Sequence, residues 1–415
     1  MRRTPGPAAH LTATLLTIVA LLAALAPFAT DIYLPTFPAM ASQFGASATG
    51  VQVTLTAFLI GAGAGQLLFG PWSDRVGRRL PLIAGTALCV AAGLVATLAP
   101  SLPVLVAARL LQGLSGSAGM VLGRAVIADV ARGREAARAF SLTAIVLGIA
   151  PVAAPLIGAA FARSLGWRGL LGIVVGWSAL TLVAVVVFVP ETHPAAVRAQ
   201  RRRSRAQRRG SGLGSRAYLG NMLTMVFSFG AMMAYVSASP FVYQVMIGLD
   251  EIGYGVAFGA TALMITVVSF LSARLTGRVR TDVLLRVGVT ILVASAAVLA
   301  GLVAAALPAW CLMIPLFSGV SAMGLIFGNA TALALGAVPH AAGTASALLG
   351  AAQFLLGAAV APLVSLAGEH SAVPLAVVFG AMSLLALAAC LSARDVQLKE
   401  RTPPTGSDLA LETAQ

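Results

Sequence analysis

The sequence predicts an all-α membrane protein of twelve transmembrane helices arranged as two six-helix bundles. Three observations carry that expectation. Hydrophobic residues make up 59% of the 415 and charged residues 10%, against about 45–50% and about 25% in ordinary soluble domains. Low-charge apolar stretches of roughly 20 residues, enough to cross a ~30 Å hydrocarbon core, recur about twelve times with short breaks. The alternating pattern of a lipid-facing barrel is absent, so backbone groups deprived of water must pair within helices.

The first span, 15–40, follows Arg2 and Arg3 and contains an Ala24, Leu25, Ala26 triplet that imitates a signal-peptide cleavage site. Its apolar run continues to Met40, longer than a signal core, so it reads as an uncleaved span. Spans 2 to 6 cover 48–72, 80–99, 103–127, 139–162 and 169–189. Spans 7 to 12 cover 219–245, 255–276, 284–306, 309–336, 343–367 and 372–392. Between the sixes lies "RAQRRRSRAQRRGSGLGSR", 198–216, read as a solvated basic linker that fixes topology and touches anionic headgroups. The domain reading is therefore 1–197, linker 198–216, 217–396 and a tail 397–415.

The net charge of +14 is almost entirely arginine, since Lys399 is the sole lysine. These arginines cluster in loops after even-numbered spans, which excludes a nucleic-acid partner and puts both termini in the cytoplasm by the positive-inside rule. Cys89, Cys311 and Cys390 are isolated within spans, and the four histidines show no ligand spacing, so no metal or redox site is expected. No nucleophile elbow, phosphate loop or paired-carboxylate arrangement appears, and an enzyme is not expected.

"GPWSDRVGRR", Gly70 to Arg79, resembles the loop signature of the major facilitator superfamily, with a degenerate second copy, "FLSARLTGRVR", at 270–280. "ARLLQGLSGSAG", 108–119, is similar to the R-x-x-Q-G motif of its proton-coupled members. "LGIAPVAAPLIG", 147–158, resembles the antiporter motif, with A-P for the commoner G-P. With "DIYLP", "GWR", "PET", "SASPFVY" and "HAAGTASALLG", the chain resembles the Bcr/CflA group of drug exporters from about residue 15 to 392. The resemblance implies alternating access about a midplane cavity, driven by the proton gradient with no cofactor, in a bacterial inner membrane and as a functional monomer. The implied substrate is a small amphipathic drug. The alternative on the same fold is an importer or exporter of a small metabolite such as an amino acid, dipeptide or sugar, which would need a more polar cavity.

Each motif also has a physical reading. Gly70 and Gly77 permit a tight turn, while Asp74 can pair with an arginine or cap a helix. In the family the basic residue four places after this Asp pairs with an acid ending helix 4. That role falls to Arg78 and Asp129 of a gate that includes Gly70, Asp74, Arg75 and Gly77. Gly148, Pro151, Pro155 and Gly158 kink span 5 and leave small surfaces. The resemblance assigns them to the interface between halves, and a packing groove is an equal reading from the residues alone.

Arg109 is embedded in span 4, where an arginine is costly unless it faces a partner or a cavity, with Gln112 one turn on. Asp31 is the one acid with long apolar flanks on both sides. It is read either as a proton carrier working with Arg109 or as a structural acid held by Arg109 or a tyrosine. Tyr33, Gln112, Met232, Met233, Tyr235 and Phe241 are the expected substrate-cavity residues, since methionine and aromatic surfaces adapt to varied shapes.

Overall fold

The structure, a computed structural model, describes residues 12–194 and 212–399. Most of the basic linker and the tail after Lys399 lie outside these residues. The first six spans are α1 (Ala13–Asp31) continued by α2 (Phe37–Phe44), α3 (Ala48–Val76), α4 (Arg79–Thr97), α5 (Leu102–Val130), and α6 and α7 within Gly133–Phe188. The last is one run of 56 residues, too long for one crossing at 1.5 Å per residue. It turns at Gly166, where φ is +59°, a conformation that costs a residue with a Cβ far more than glycine. Hence α6 is 133–165 and α7 is 167–188.

The second six are α8 (Arg216–Pro240), α9 (Glu251–Leu275), α10 (Thr281–Ala304), α11 and α12 (Met313–Ser321 and Met323–Gly336, one span), α13 (Ala342–Val360) and α14 (Val373–Lys399). Polar side chains close the helix starts that lie near water. Thr12, Ser47, Ser215 and Asp250 accept from the backbone N–H three residues on, satisfying a donor that the helix itself cannot.

Besides the tenth, which divides at Ala322, three spans are less regular than expected. The first breaks after Asp31 into a 3₁₀ turn, Leu34–Thr36, before α2; Pro35 and Pro38 supply no N–H to carry the ladder through. After Pro240 the seventh span ends in a π-helical turn, Phe241–Met246. The eleventh ends in a 3₁₀ turn, Ala361–Ser365, entered through Pro362.

Successive spans run antiparallel. One face gathers the loops 45–47, 98–101, 163–168, 247–250, 305–308 and 366–372, and is poor in arginine. The opposite face carries the loops 77–78, 131–132, 276–280 and 337–341 and is rich in it. In the first half α3 packs on α5; in the second, α8 packs on α14. The halves meet where α6 lies on α9 and α3 on α13.

Candidate functional site

A cavity of about 280 Å³ lies between the halves. Its wall takes Pro27, Thr30 and Asp31 from α1, Phe58 from α3, Met120 from α5 and Pro151 from α6. The second half contributes Phe229, Met232, Met233 and Tyr235 from α8, Phe258 and Thr266 from α9 and Phe327 from α12. Tyr235 stacks on Phe258 with centroids 5.5 Å apart, and Phe229 meets Phe354 edge-on at 5.6 Å. The surface is apolar and adaptable, and among the described residues Asp31 is the one charged residue in the wall. Asp31 is 8% exposed, and its Oδ1 accepts from Thr30 Oγ1 at 2.9 Å.

Met232, Met233 and Tyr235 stand in this wall, but Tyr33, Gln112 and Phe241 do not. Tyr33 and Gln112 are turned instead toward Arg109. The guanidinium is fully buried, stacked 4.6 Å from the Tyr33 ring and 4.5 Å from the Phe58 ring. Its Nη1 donates to Gln112 Oε1 at 2.7 Å and its Nη2 to the Ala29 carbonyl at 2.9 Å. The Tyr33 hydroxyl is spent on Thr54 Oγ1, 3.1 Å away. Phe241 belongs to the π-helical turn beyond the cavity, 6.4 Å from Phe37. Among the described residues no ion pair joins Arg109 to Asp31. The arginine holds the backbone two residues before the carboxylate, so it sets where α1 delivers Asp31.

A second cluster forms at the arginine-rich face. Arg78 Nε donates to Asp129 Oδ2 at 3.0 Å, and Nη1 donates to Asp74 Oδ1 at 2.8 Å and to Ser73 Oγ at 2.6 Å. The Arg78 and Asp129 side chains are 6% and 4% exposed, whereas Asp74 is 34% exposed. Gly77 makes the turn at φ +109°. A Cβ there would fall 2.3 Å from a Glu191 carboxylate oxygen. Gly70, expected at the same turn, lies inside α3 with its nearest prospective contact at 4.0 Å, so the turn does not depend on it. Arg75 is exposed on the last turn of α3.

Glu191 and His193 were not singled out from the sequence as site residues, yet they complete this cluster. Glu191 Oε1 accepts from the backbone N–H of Arg78 and of His193, each at 2.8 Å. Its Oε2 accepts from the Arg79 N–H at 3.3 Å. The carboxylate thereby caps α4, where the helix dipole favours a negative charge. His193 is buried, with Nδ1 4.0 Å from Asp129 Oδ2. "PET" marked this acid only as a resemblance, because the helix end that a span-terminal acid reaches is set by packing.

The α6 motif divides between two neighbours. Gly148 faces α9 of the other half, where Thr266 Oγ1 donates to its carbonyl at 3.1 Å, and Pro155 lies against Gly255. Pro151 lines the cavity. Gly158 turns back to its own half, and a Cβ there would lie 1.9 Å from the Ile32 carbonyl oxygen.

The family profile of the Major Facilitator Superfamily matches residues 19–362. The chain is 37% identical over 364 residues to an uncharacterized MFS-type transporter, YdgK, of Bacillus subtilis, covering 86% of this chain and 90% of that one. It is 30% identical over 382 residues to a bicyclomycin resistance protein homolog of Haemophilus influenzae, covering 92% and 96%. Among solved structures a D-xylose–proton symporter superposes with a TM-score of 0.75 at 18% identity, over 92% of this chain and 97% of that one. That last likeness is of fold alone. With eleven helices among the described residues long and apolar enough to cross a membrane, twelve spans once the longest is divided at Gly166, the chain is a transporter rather than an enzyme and belongs to the Major Facilitator Superfamily.

Proposed function

We propose that this transporter exports small amphipathic compounds, antibiotics among them, from the cytoplasm in exchange for protons. The observation that carries the reading is the cavity wall: apolar and thioether surface from both halves, with one carboxylate, Asp31, as its only charge among the described residues. Methionine and aromatic side chains accept varied shapes without demanding particular hydrogen bonds. A polar metabolite would leave its hydroxyls or charges against Met232, Met233 and Phe258. The bicyclomycin resistance homolog supports the drug reading.

In this reading the two halves, 1–197 and 217–396, rock about the cavity as a monomer, and protonation of Asp31 is coupled to that motion. The arginine-rich face is cytoplasmic by the positive-inside rule, with both termini on that side of a bacterial inner membrane. The same reading puts the chain in the Bcr/CflA group. The test uses inverted membrane vesicles from a host lacking its own pumps. Acidifying the lumen should drive uptake of a neutral antibiotic above its external concentration, and collapsing the gradient should release it. Uptake that only equilibrates would indicate a facilitator, and no uptake across an antibiotic panel would overturn the drug reading.

A further inference from the structure

The side-chain bonds that join the two halves concentrate at the arginine-poor face. Gln52 on α3 is fully buried and sits at their centre. Its Nε2 donates to the Ser237 carbonyl of α8 at 2.8 Å. Its Oε1 accepts from Ser365 Oγ at the end of the eleventh span. One turn before it, Thr49 Oγ1 donates to the Ser365 carbonyl at 3.2 Å. Ser237 Oγ in turn donates to the Ala361 carbonyl at 2.8 Å, so α8 and the eleventh span are tied to each other and both are tied to α3. Beside this, Gln244 Nε2 of the π-helical turn donates to the Pro35 carbonyl of the 3₁₀ turn at 3.0 Å.

Every carbonyl acceptor in this set, Ser237, Ser365, Ala361 and Pro35, lies beside or within a segment where a span has left regular α-helix. Helix ends and breaks leave carbonyls without an N–H four residues on, so these positions offer acceptor capacity across the face; the Ser365 carbonyl also takes the Gly368 N–H at 2.9 Å and meets Thr49 with its second lone pair. The breaks thus supply the acceptors that seal one face. A different contact crosses the same face: Arg163 reaches Glu251 at 3.0 Å and Asp250 at 3.7 Å, with the arginine side chain 70% exposed. Solvent screening makes such a pair worth little. Gln52 is buried, and removing it strands the polar groups of its partners, which is where hydrogen bonds cost most to lose.

We propose that Gln52, through Ser237 and Ser365, is the latch that holds the arginine-poor face shut, and that this network must open for the cavity to reach that side. Gln52 is a positioning residue: it stands outside the cavity wall and acts on which face is open. The inference rests on the alternating-access reading above but on no particular substrate or ion.

The test measures the distance between spin labels at exposed residues on either side of that face, Ser42→Cys on α2 and Ala367→Cys after the eleventh span. The three native cysteines are replaced, and the full-length protein is studied in lipid nanodiscs. Gln52→Leu keeps the bulk and removes both bonds, and it should raise the ratio of the long-distance population to the short one by about tenfold. Ser365→Ala should move it the same way by less. Arg163→Ala should leave the distribution as it is. Unchanged distances in both Gln52→Leu and Ser365→Ala would overturn the proposal, as would an equal shift in Arg163→Ala. If Gln52→Leu does not fold, Ser365→Ala and Thr49→Val decide alone. The distances are read without substrate, so the expected shift together with failure of the unmutated protein to export any drug would overturn the drug reading and leave the latch standing.

Discussion

Arg78 serves two carboxylates of unequal worth. Its bond to Asp129 is buried, where breaking an ion pair costs up to about 3–5 kcal/mol, less here because Asp74 and Ser73 still serve Arg78 when Asp129 is gone. Its bond to the half-exposed Asp74 contributes at most about 1 kcal/mol. Arg78→Ala and Asp129→Ala should therefore each lower the thermal unfolding midpoint in detergent, while the double variant falls little further than either single one. Additive losses would show that the two side chains act separately. Arg109 gives a second prediction at this scale. Its planar fork donates to two acceptors while its faces stack on Tyr33 and Phe58, an arrangement that lysine cannot reproduce. Arg109→Lys should keep the charge and the expression level yet lower export at least about tenfold, since a displacement of about 1 Å at a working group costs on the order of a hundredfold. Wild-type export by that variant would reduce the arginine's role to charge alone.

Among the elements, α6 is fitted closely to its neighbours at one position and α7 is open at another. At Gly158 an added methyl would meet the Ile32 backbone, which has no flexible end to move aside. Gly158→Ala should destabilise by about 1–3 kcal/mol through overpacking. At Gly172 on α7 nothing lies within 4 Å of a new Cβ, so Gly172→Ala should be neutral or stabilising by up to about 1 kcal/mol. Thermal unfolding of both variants in detergent checks the contrast, and equal effects would remove the close-packing argument. Elements were also the most legible scale in the sequence. A bilayer permits only helices of a set length, so apolar run length and arginine placement located all twelve spans. The breaks after Asp31 and Pro240 were less legible, because a proline marks where a ladder weakens without saying whether the chain bends, tightens or widens there. Asp31 stood out as a charge in an apolar run. Gln52, one amide in an apolar helix, looks the same in sequence whether it faces lipid, core or the opposite half. Tyr33 and Gln112 were misassigned to the cavity for a related reason: polarity near Asp31 reveals proximity and leaves side-chain direction open.

For the molecule as a whole, the proposed exchange requires Asp31 to join the cavity to the driving force. Among the described residues it is the only charged side chain in the wall, which fits exchange of a single proton, and one proton for one neutral drug moves one net charge across the membrane. One proton crossing ~100 mV supplies about 2.3 kcal/mol, and one pH unit adds about 1.4 kcal/mol. Together these sustain a drug gradient of a few hundredfold. Asn matches Asp in size and hydrogen bonding but cannot ionise. Asp31→Asn should therefore insert, keep the Thr30 contact and still bind neutral drugs, but fail to accumulate them. In proteoliposomes with an imposed pH gradient, wild-type protein should pump a neutral antibiotic uphill and respond to membrane potential, whereas the Asn variant should at most equilibrate it. Glu at the same position retains an ionisable group at a different reach and should recover part of the activity. If the Asn variant pumps uphill at the normal rate, Asp31 is a structural acid and the proton crosses at another group.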